Sequence, residues 1–183
     1  MEKKFKCPKS HTLTTYRIVD DKIIFGVFLP AFIHNVTYHF TNIAVYKDGM
    51  IDCWGLVDFD GFLEKVNSGW VATTLPENAD VSFSRITDFK ATEILYSVPE
   101  SEFVKDVLDA IEELNDRPSS LCIFWEAKKA FWENPTENNR RTMLETFEKV
   151  PHHRKKFVTN PRDRKYFKEQ GIKSYDTVWE FND

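Results

Sequence analysis

From Leu13 to about Val98 apolar positions recur mostly at every second residue, the period of strands that bury one face. "TYRIV" and "KIIFGVFL" flank Asp20-Asp21, a spacing that predicts a tight hairpin. "VTYHFTNIAVYK" and "MIDCWG" flank Asp48-Gly49. Read as a two-residue turn with positive φ at both positions, this second hairpin sets Lys47 opposite Met50, Val45 opposite Asp52 and Ile43 opposite Trp54. The period then changes. In "DFDGFLEKVNSG", Phe59, Phe62, Leu63 and Val66 recur at helical spacing, with Asp58 placed to cap the start and Gly69 to supply a left-handed end. "WVATTL", "DVSFSRI" and "ATEILYSV" resume the strand pattern.

Past Val98 the helical period takes over. "SVPESEFVKDVLDAIEELN" opens with Ser97 and Glu100 in capping-box register and carries an apolar stripe through Phe103, Val107, Ile111 and Leu114. "PSSLCIFWEAKKAFWEN" and "TENNRRTMLETFEKV" predict a helical hairpin, with Asn134 as the second cap, Pro135 in the first turn and Glu137 as capping partner. "PRDRKYFKEQG" fits a further short helix, and "YDTVWEF" a strand that returns to the sheet. The expected fold class is α+β: an antiparallel sheet from the N-terminal half plus a C-terminal strand, with the helices, including the helical hairpin, packed on one face. A single domain over 1–183 is expected, with 1–98 mostly strand, 99–170 helical and 171–183 a terminal strand.

Composition narrows the class. A chain of 183 residues that is 42% hydrophobic suits one core, and two independent cores are not expected. The lysine-rich start lacks an apolar stretch behind it, and nowhere do the roughly 18 uninterrupted apolar residues of a membrane span occur, which points to the cytosol and away from membranes. Cys7, Cys53 and Cys122 are odd in number and far apart, a pattern that suits reduced thiols.

Candidate chemistry concentrates in residues 45–71, where Asp48, Asp52, Cys53, Trp54, Asp58 and Asp60 crowd one run. Turn and cap account for Asp48, Gly49 and Asp58, and Cys53 suits a small buried position. In the expected register Asp52 shares a face with Ile43, Val45 and Trp54, where a carboxylate acquires a raised pKa; the competing reading is a solvated sheet edge or a backbone hydrogen bond. His39 and Asp52 lie roughly 20 Å apart along this hairpin at about 3.3 Å per residue, so they form no dyad within it. His34 and His39 differ by an odd number and point to opposite faces, which removes a shared metal. His34, His39, Asp52 and Trp54 remain the candidate ligand-binding residues. Cys7 and His11 have a spacing that zinc accepts but no matching second pair, and His152-His153 has no evident partners, so neither a metal nor another cofactor is expected. Phosphate loops and nucleophile elbows are missing.

Charge is segregated along the chain. Residues 100–116 hold seven acidic side chains against Lys105, and residues 149–168 hold eight basic ones against Asp163. The basic segment, with Arg154, Lys155, Lys156, Arg164 and Lys165, is the candidate anion or partner-binding surface; the alternative is that these are solvated helix faces or face the acidic helix. A net charge of −4 argues against nucleic acid, which predicts affinity falling steeply with salt if it binds there.

"PAFIHNVTYHFTNIAVYKDGMIDCWGLVDF" through "EKVNSGWVATTLP", residues 30–76, and "FWENPTENNRRTMLETFEKVP", residues 131–151, resemble a family of small uncharacterised bacterial proteins, a domain of unknown function. The resemblance implies a bacterial origin and transfers no catalytic residue. The favoured expectation is a non-catalytic cytosolic binding or interaction protein, of immunity or regulatory type, with a protein partner. Its rival is an enzyme or small-ligand binder with a pocket near Asp52 and Trp54.

Overall fold

A computed structural model of the chain describes residues 13–172. The "YDTVWEF" strand and the Cys7-His11 pair lie outside the described residues. Two compact units divide the chain, the first ending at Ser119 and the second beginning at Ser120.

The first unit is a mostly antiparallel sheet with two helices. β1 (Thr14–Val19), β2 (Lys22–Asn35), β3 (Thr37–Tyr46), β4 (Ile51–Asp52) and β5 (Leu56–Val57) follow one another across it. β6 (Val71–Ala72) pairs with β2, while β7 (Ala79–Phe83) runs parallel to β3 and pairs with β8 (Thr87–Ala91). Asp20 and Asp21 both adopt left-handed φ values, 48° and 61°, so the first hairpin closes with the two-residue turn that its sequence predicts. Alternation on β2 buries Val27, Leu29, Ala31 and Ile33, which meet Ile43 and Val45 of β3 and Ile51 of β4. Phe62 of α1 (Phe59–Asn67) and Phe103, Val107 and Ala110 of α2 (Glu100–Leu114) close this core.

The second hairpin departs from its expected register. The Gly49 N–H donates to the Tyr46 carbonyl at 2.9 Å and the Tyr46 N–H to the Met50 carbonyl at 2.9 Å, so Lys47, Asp48 and Gly49 form a three-residue loop. Of these only Gly49 is left-handed, at φ +84°, the arrangement of a type I turn closed by a glycine bulge. Asp48 keeps negative φ because its carboxylate accepts from the Met50 N–H and pairs with Arg17. Val45 therefore faces Ile51, and Ala44 faces Asp52. A one-residue slip moves every side chain to the other face, so Ile51 enters the core and Asp52 leaves it.

Three local expectations are corrected as well. α2 starts after Pro99 without a side-chain cap, because the Glu100 carboxylate is taken by the β6 loop instead of by Ser97. Strand structure in "ATEILYSV" ends at Ala91, the partner of Ala79 at the start of β7, beyond which β7 offers no opposing residues. Thr136, not Asn134, caps the second helix of the predicted hairpin and accepts from the Asn139 N–H.

The second unit holds α3 (Ser120–Glu133), α4 (Glu137–Lys149), a 3-10 turn at His152–Arg154, α5 (Lys155–Val158) and α6 (Pro161–Glu169). The expected helical hairpin is α3 with α4, but its buried face does not belong to the sheet's core. Phe124, Phe131, Met143, Phe147, Val158 and Phe167 bury against one another, with Phe147 and Phe167 stacked at 4.3 Å. Among the described residues the buried hydrophobics fall into three clusters: the sheet's, a small one around Val81 between β7 and β8, and this one, whose aromatic stripes on α3, α4 and α6 satisfy each other. Asp163, almost wholly buried, ties the unit together. Its carboxylate accepts from Lys128 Nζ at 2.9 Å, Trp132 Nε1 at 3.0 Å and the Asn160 N–H at 2.9 Å. Asn160 returns the contact to the Asp163 N–H, a complete capping box.

Candidate functional site

The run that crowds carboxylates folds as a loop pinned from behind. Asp52 is exposed, and its carboxylate accepts the Gly55 N–H at 3.1 Å. This is the solvated, backbone-bonded arrangement, and it removes the acid from any apolar pocket. Trp54 turns the chain with a left-handed φ of 57°, unusual for so bulky a residue, and its ring is 49% exposed. Lys65 Nζ of α1 donates to the carbonyls of Cys53 at 3.2 Å and Gly55 at 3.3 Å, and Trp70 Nε1 donates to Cys53 O at 3.1 Å. Lys65 and Trp70, which composition and spacing did not single out, hold the strained loop in place. Cys53 is free and buried; burial pushes its thiol pKa up, and the Lys65 ammonium opposes that shift. Cys122 is disulfide-bonded, so the expectation of reduced thiols fails there; spacing along a chain does not tell which sulfurs fold close.

The candidate ligand-binding residues separate onto two faces. His34 pairs with Tyr38 and stacks on its ring at 4.2 Å, while His39 pairs with Ile33 and meets Trp54 at 5.0 Å. The opposite orientation read from their odd spacing is what the register gives. Asp52, opposite Ala44, lies on the face away from the core, near Tyr46. Burial raises the Tyr46 hydroxyl pKa and the Asp52 charge adds to it, against Arg17, whose guanidinium lies 5.1 Å over the ring.

His39 does line an open cleft, with Thr37, Asp80, Ser82, Asp88 and Lys90. The types suggest a nucleophile, a base and an acid, but their order is wrong. Register places His39 beside Ser82 and Ser82 beside Asp88, so serine stands between histidine and aspartate, and the carboxylate lies two strands, about 10 Å, from the imidazole. A triad needs histidine in the middle. His39 Nε2 contacts Thr37 Oγ1 at 3.0 Å and the Asn35 carbonyl at 3.3 Å, and Asp80 pairs with Lys90. Among the described residues no group of three or more His, Cys, Asp or Glu is placed to hold a metal.

Lys155 and Arg162 of the basic segment pack within the second unit. Lys155 is buried, 3.6 Å from Glu148 and 4.6 Å from the Phe147 ring. Arg162 stacks on Trp132 at 3.7 Å, and Arg154, Lys156 and Arg164 all have partners. Lys165 is exposed.

A different surface, missed by the sequence reading, is the face of the β1–β2 hairpin. The apolar stripe of β2 does not stop where the core does: Ile23 and Phe25 continue the row of Val27, Leu29, Ala31 and Ile33. Cross-strand pairing sets Tyr16 opposite Phe25 and Ile18 opposite Ile23. These four side chains are 61% (Tyr16), 65% (Ile18), 55% (Ile23) and 60% (Phe25) exposed. Alternation through Tyr16, Ile18, Ile23 and Phe25 was legible as a strand signal, but which strands the helices leave bare was not. Among the described residues β1 pairs only with β2, and no described strand lies on its other edge.

No helix among the described residues is long and apolar enough to cross a membrane. No curated protein and no solved structure matches the chain. One family model does, over residues 14–118, which run from the first strand of the sheet to just past α2 and contain the whole of 30–76 but none of 131–151. The chain belongs to that family, DUF7638, a domain of unknown function.

Proposed function

We propose that the protein is a non-catalytic interaction protein that docks a partner on the apolar face of its β1–β2 hairpin. One observation carries this reading: Tyr16, Ile18, Ile23 and Phe25 form a contiguous patch, each more than half exposed, on a strand pair whose outer edge no described strand covers. Large contiguous apolar patches on soluble domains mark interaction sites, and an open edge adds backbone donors and acceptors. Against the rival enzyme reading stand an exposed Asp52 whose carboxylate accepts the Gly55 N–H, and a register that sets Ser82 beside His39. Immunity or regulatory roles fit a docking function without chemistry in a bacterial setting, while the Cys122 disulfide weighs against the reducing cytosol expected from the sequence.

The test is a photo-crosslinking residue placed at Phe25 in the native host, with a second placed at Leu95, which is 86% exposed elsewhere in the same unit. A discrete adduct from position 25, missing from position 95 and lost when Ile18→Asp is added, supports the docking surface. Equal labelling from both positions, or none from either, rejects it.

A further inference from the structure

We propose that the cleft over β3, β7 and β8 binds a sugar ring, a neutral ligand that offers hydroxyls to the sheet and C–H groups to Trp54. This goes beyond the docking reading and uses none of the hairpin patch. Side chains alternate along a strand, and residues paired across strands share a face. Thr37 and His39 of β3, Asp80 and Ser82 of β7, and Asp88 and Lys90 of β8 therefore project from one face, as the pairs His39 with Ser82, Ser82 with Asp88 and Asp80 with Lys90 require. They line an open cleft of about 540 Å³, within the roughly 300–1,000 Å³ of small-molecule sites. With strands about 5 Å apart and like-facing residues about 7 Å apart along each, the six form a polar array two residues deep and three strands wide.

The contacts already made within the array decide what it still lacks. Asp80 and Lys90 are joined at 2.7 Å, so neither brings an unbalanced charge. His39 Nε2 lies 3.3 Å from the Asn35 carbonyl, which only accepts, so Nε2 carries the proton and Nδ1 is left as an acceptor. The Ser82 hydroxyl and the Asp88 carboxylate have no side-chain hydrogen bond among the described residues. A ligand is thus asked for donors at Asp88 and His39 and for an acceptor at Lys90, whose ammonium keeps protons to spare beyond Asp80. A carboxylate or other anion brings no donor and meets the charge of Asp88. An ammonium brings no acceptor and meets the charge of Lys90. Hydroxyls both donate and accept and carry no charge, which matches the array. An apolar ligand would leave these groups desolvated and unpaired.

Trp54 supplies the apolar side. Its ring is half exposed and lies 5.0 Å from the His39 imidazole, at the border of the cleft. A left-handed φ of 57° is costly for so bulky a residue and persists here because Lys65 and Trp70 hold the Cys53 and Gly55 carbonyls. Strain of this kind collects at ligand clamps, and this strain fixes an indole beside a hydroxyl-binding array. The negative face of an aromatic ring attracts polarised C–H groups. A sugar ring carries such C–H groups together with a rim of hydroxyls.

Saturation-transfer difference NMR of the full chain tests this with D-glucose, D-galactose, D-mannose and N-acetyl-D-glucosamine at millimolar concentration, and with L-arginine and acetate as charged controls. Wild type is expected to transfer saturation to the ring C–H protons of one or more of the sugars. Asp88→Ala and Trp54→Ala are each expected to weaken that sugar's binding by about tenfold or more. Asp88 is exposed on β8, so its variant keeps the fold even if Trp54→Ala loosens the loop, and circular dichroism checks both. Phe25→Asp is expected to bind the sugar as wild type does, which separates this site from the hairpin. Transfer to none of the sugars overturns the proposal, and so does transfer that survives both cleft variants. Binding of L-arginine or acetate in place of every sugar assigns the cleft to a charged ligand and overturns it as well.

Discussion

At the scale of single residues, steric contacts and hydrogen bonds fix positions that composition treats as ordinary. A Cβ on Gly26 would lie 2.7 Å from the Val45 carbonyl and 2.7 Å from the Tyr46 ring. The strand carbonyl cannot give way, so Gly26→Ala is expected to destabilise the first unit by about 1–3 kcal/mol, read as a lower urea midpoint at unchanged m-value. Glu100 works through hydrogen bonds. Burial pushes its carboxyl pKa up, but the Thr74 hydroxyl at 2.5 Å and the Thr73 and Thr74 amides at 3.1 and 2.9 Å outweigh this and hold it below the ordinary carboxylate value. A folded-state pKa below the unfolded one means that the stabilisation is complete above the ordinary carboxylate range and is lost as pH falls through it toward the folded-state value. Urea midpoints of wild type and Glu100→Gln should therefore differ at neutral pH and converge on acidification; a gap constant with pH would refute the latch.

Elements show where local signals suffice and where they stop. The Asp20-Asp21 turn, α1 with its Asp58 cap at 2.9 Å from the Gly61 N–H, and the α3–α4 hairpin were legible because each rests on neighbours a few residues apart. Asp48-Gly49 signalled a hairpin truly but not its loop length. Whether Asp48 turns left-handed depends on Arg17, thirty-one residues earlier, which holds its carboxylate. The register of that loop sets Asp52 opposite Ala44 and out of the core. In the second unit Asp163 has the same long reach, gathering Lys128 and Trp132 from α3. Asp163→Ala leaves the Trp132 indole N–H without its acceptor and the part-buried Lys128 ammonium with only the Val158 carbonyl, and is expected to cost about 3 kcal/mol, seen as loss of hydrogen-exchange protection in α3 and α6. Asp163→Asn, which keeps an acceptor, should cost less.

Over the whole molecule, the hairpin patch governs how the protein meets its surroundings. Native wild type is expected to raise the fluorescence of an apolar dye such as anilinonaphthalene sulfonate, and Phe25→Asp to reduce that signal without changing the unfolding midpoint, because Phe25 is 60% exposed. A signal unchanged by Phe25→Asp would place the dye elsewhere. The sequence by itself determined the α+β class, the first hairpin, the helical stretches and the membership of a domain family without assigned activity. These follow from period, turn chemistry and capping, all of which act within a few residues. Only the tertiary structure decided that the aromatic helices close a core of their own, that Lys65 and Trp70 pin the Trp54 loop, and that the apolar face of the sheet outruns its helical cover at Tyr16 and Phe25. The physical reason is common to all three. A hydrophobic or charged side chain announces that it needs a partner, while which partner it finds depends on the path of the backbone between them.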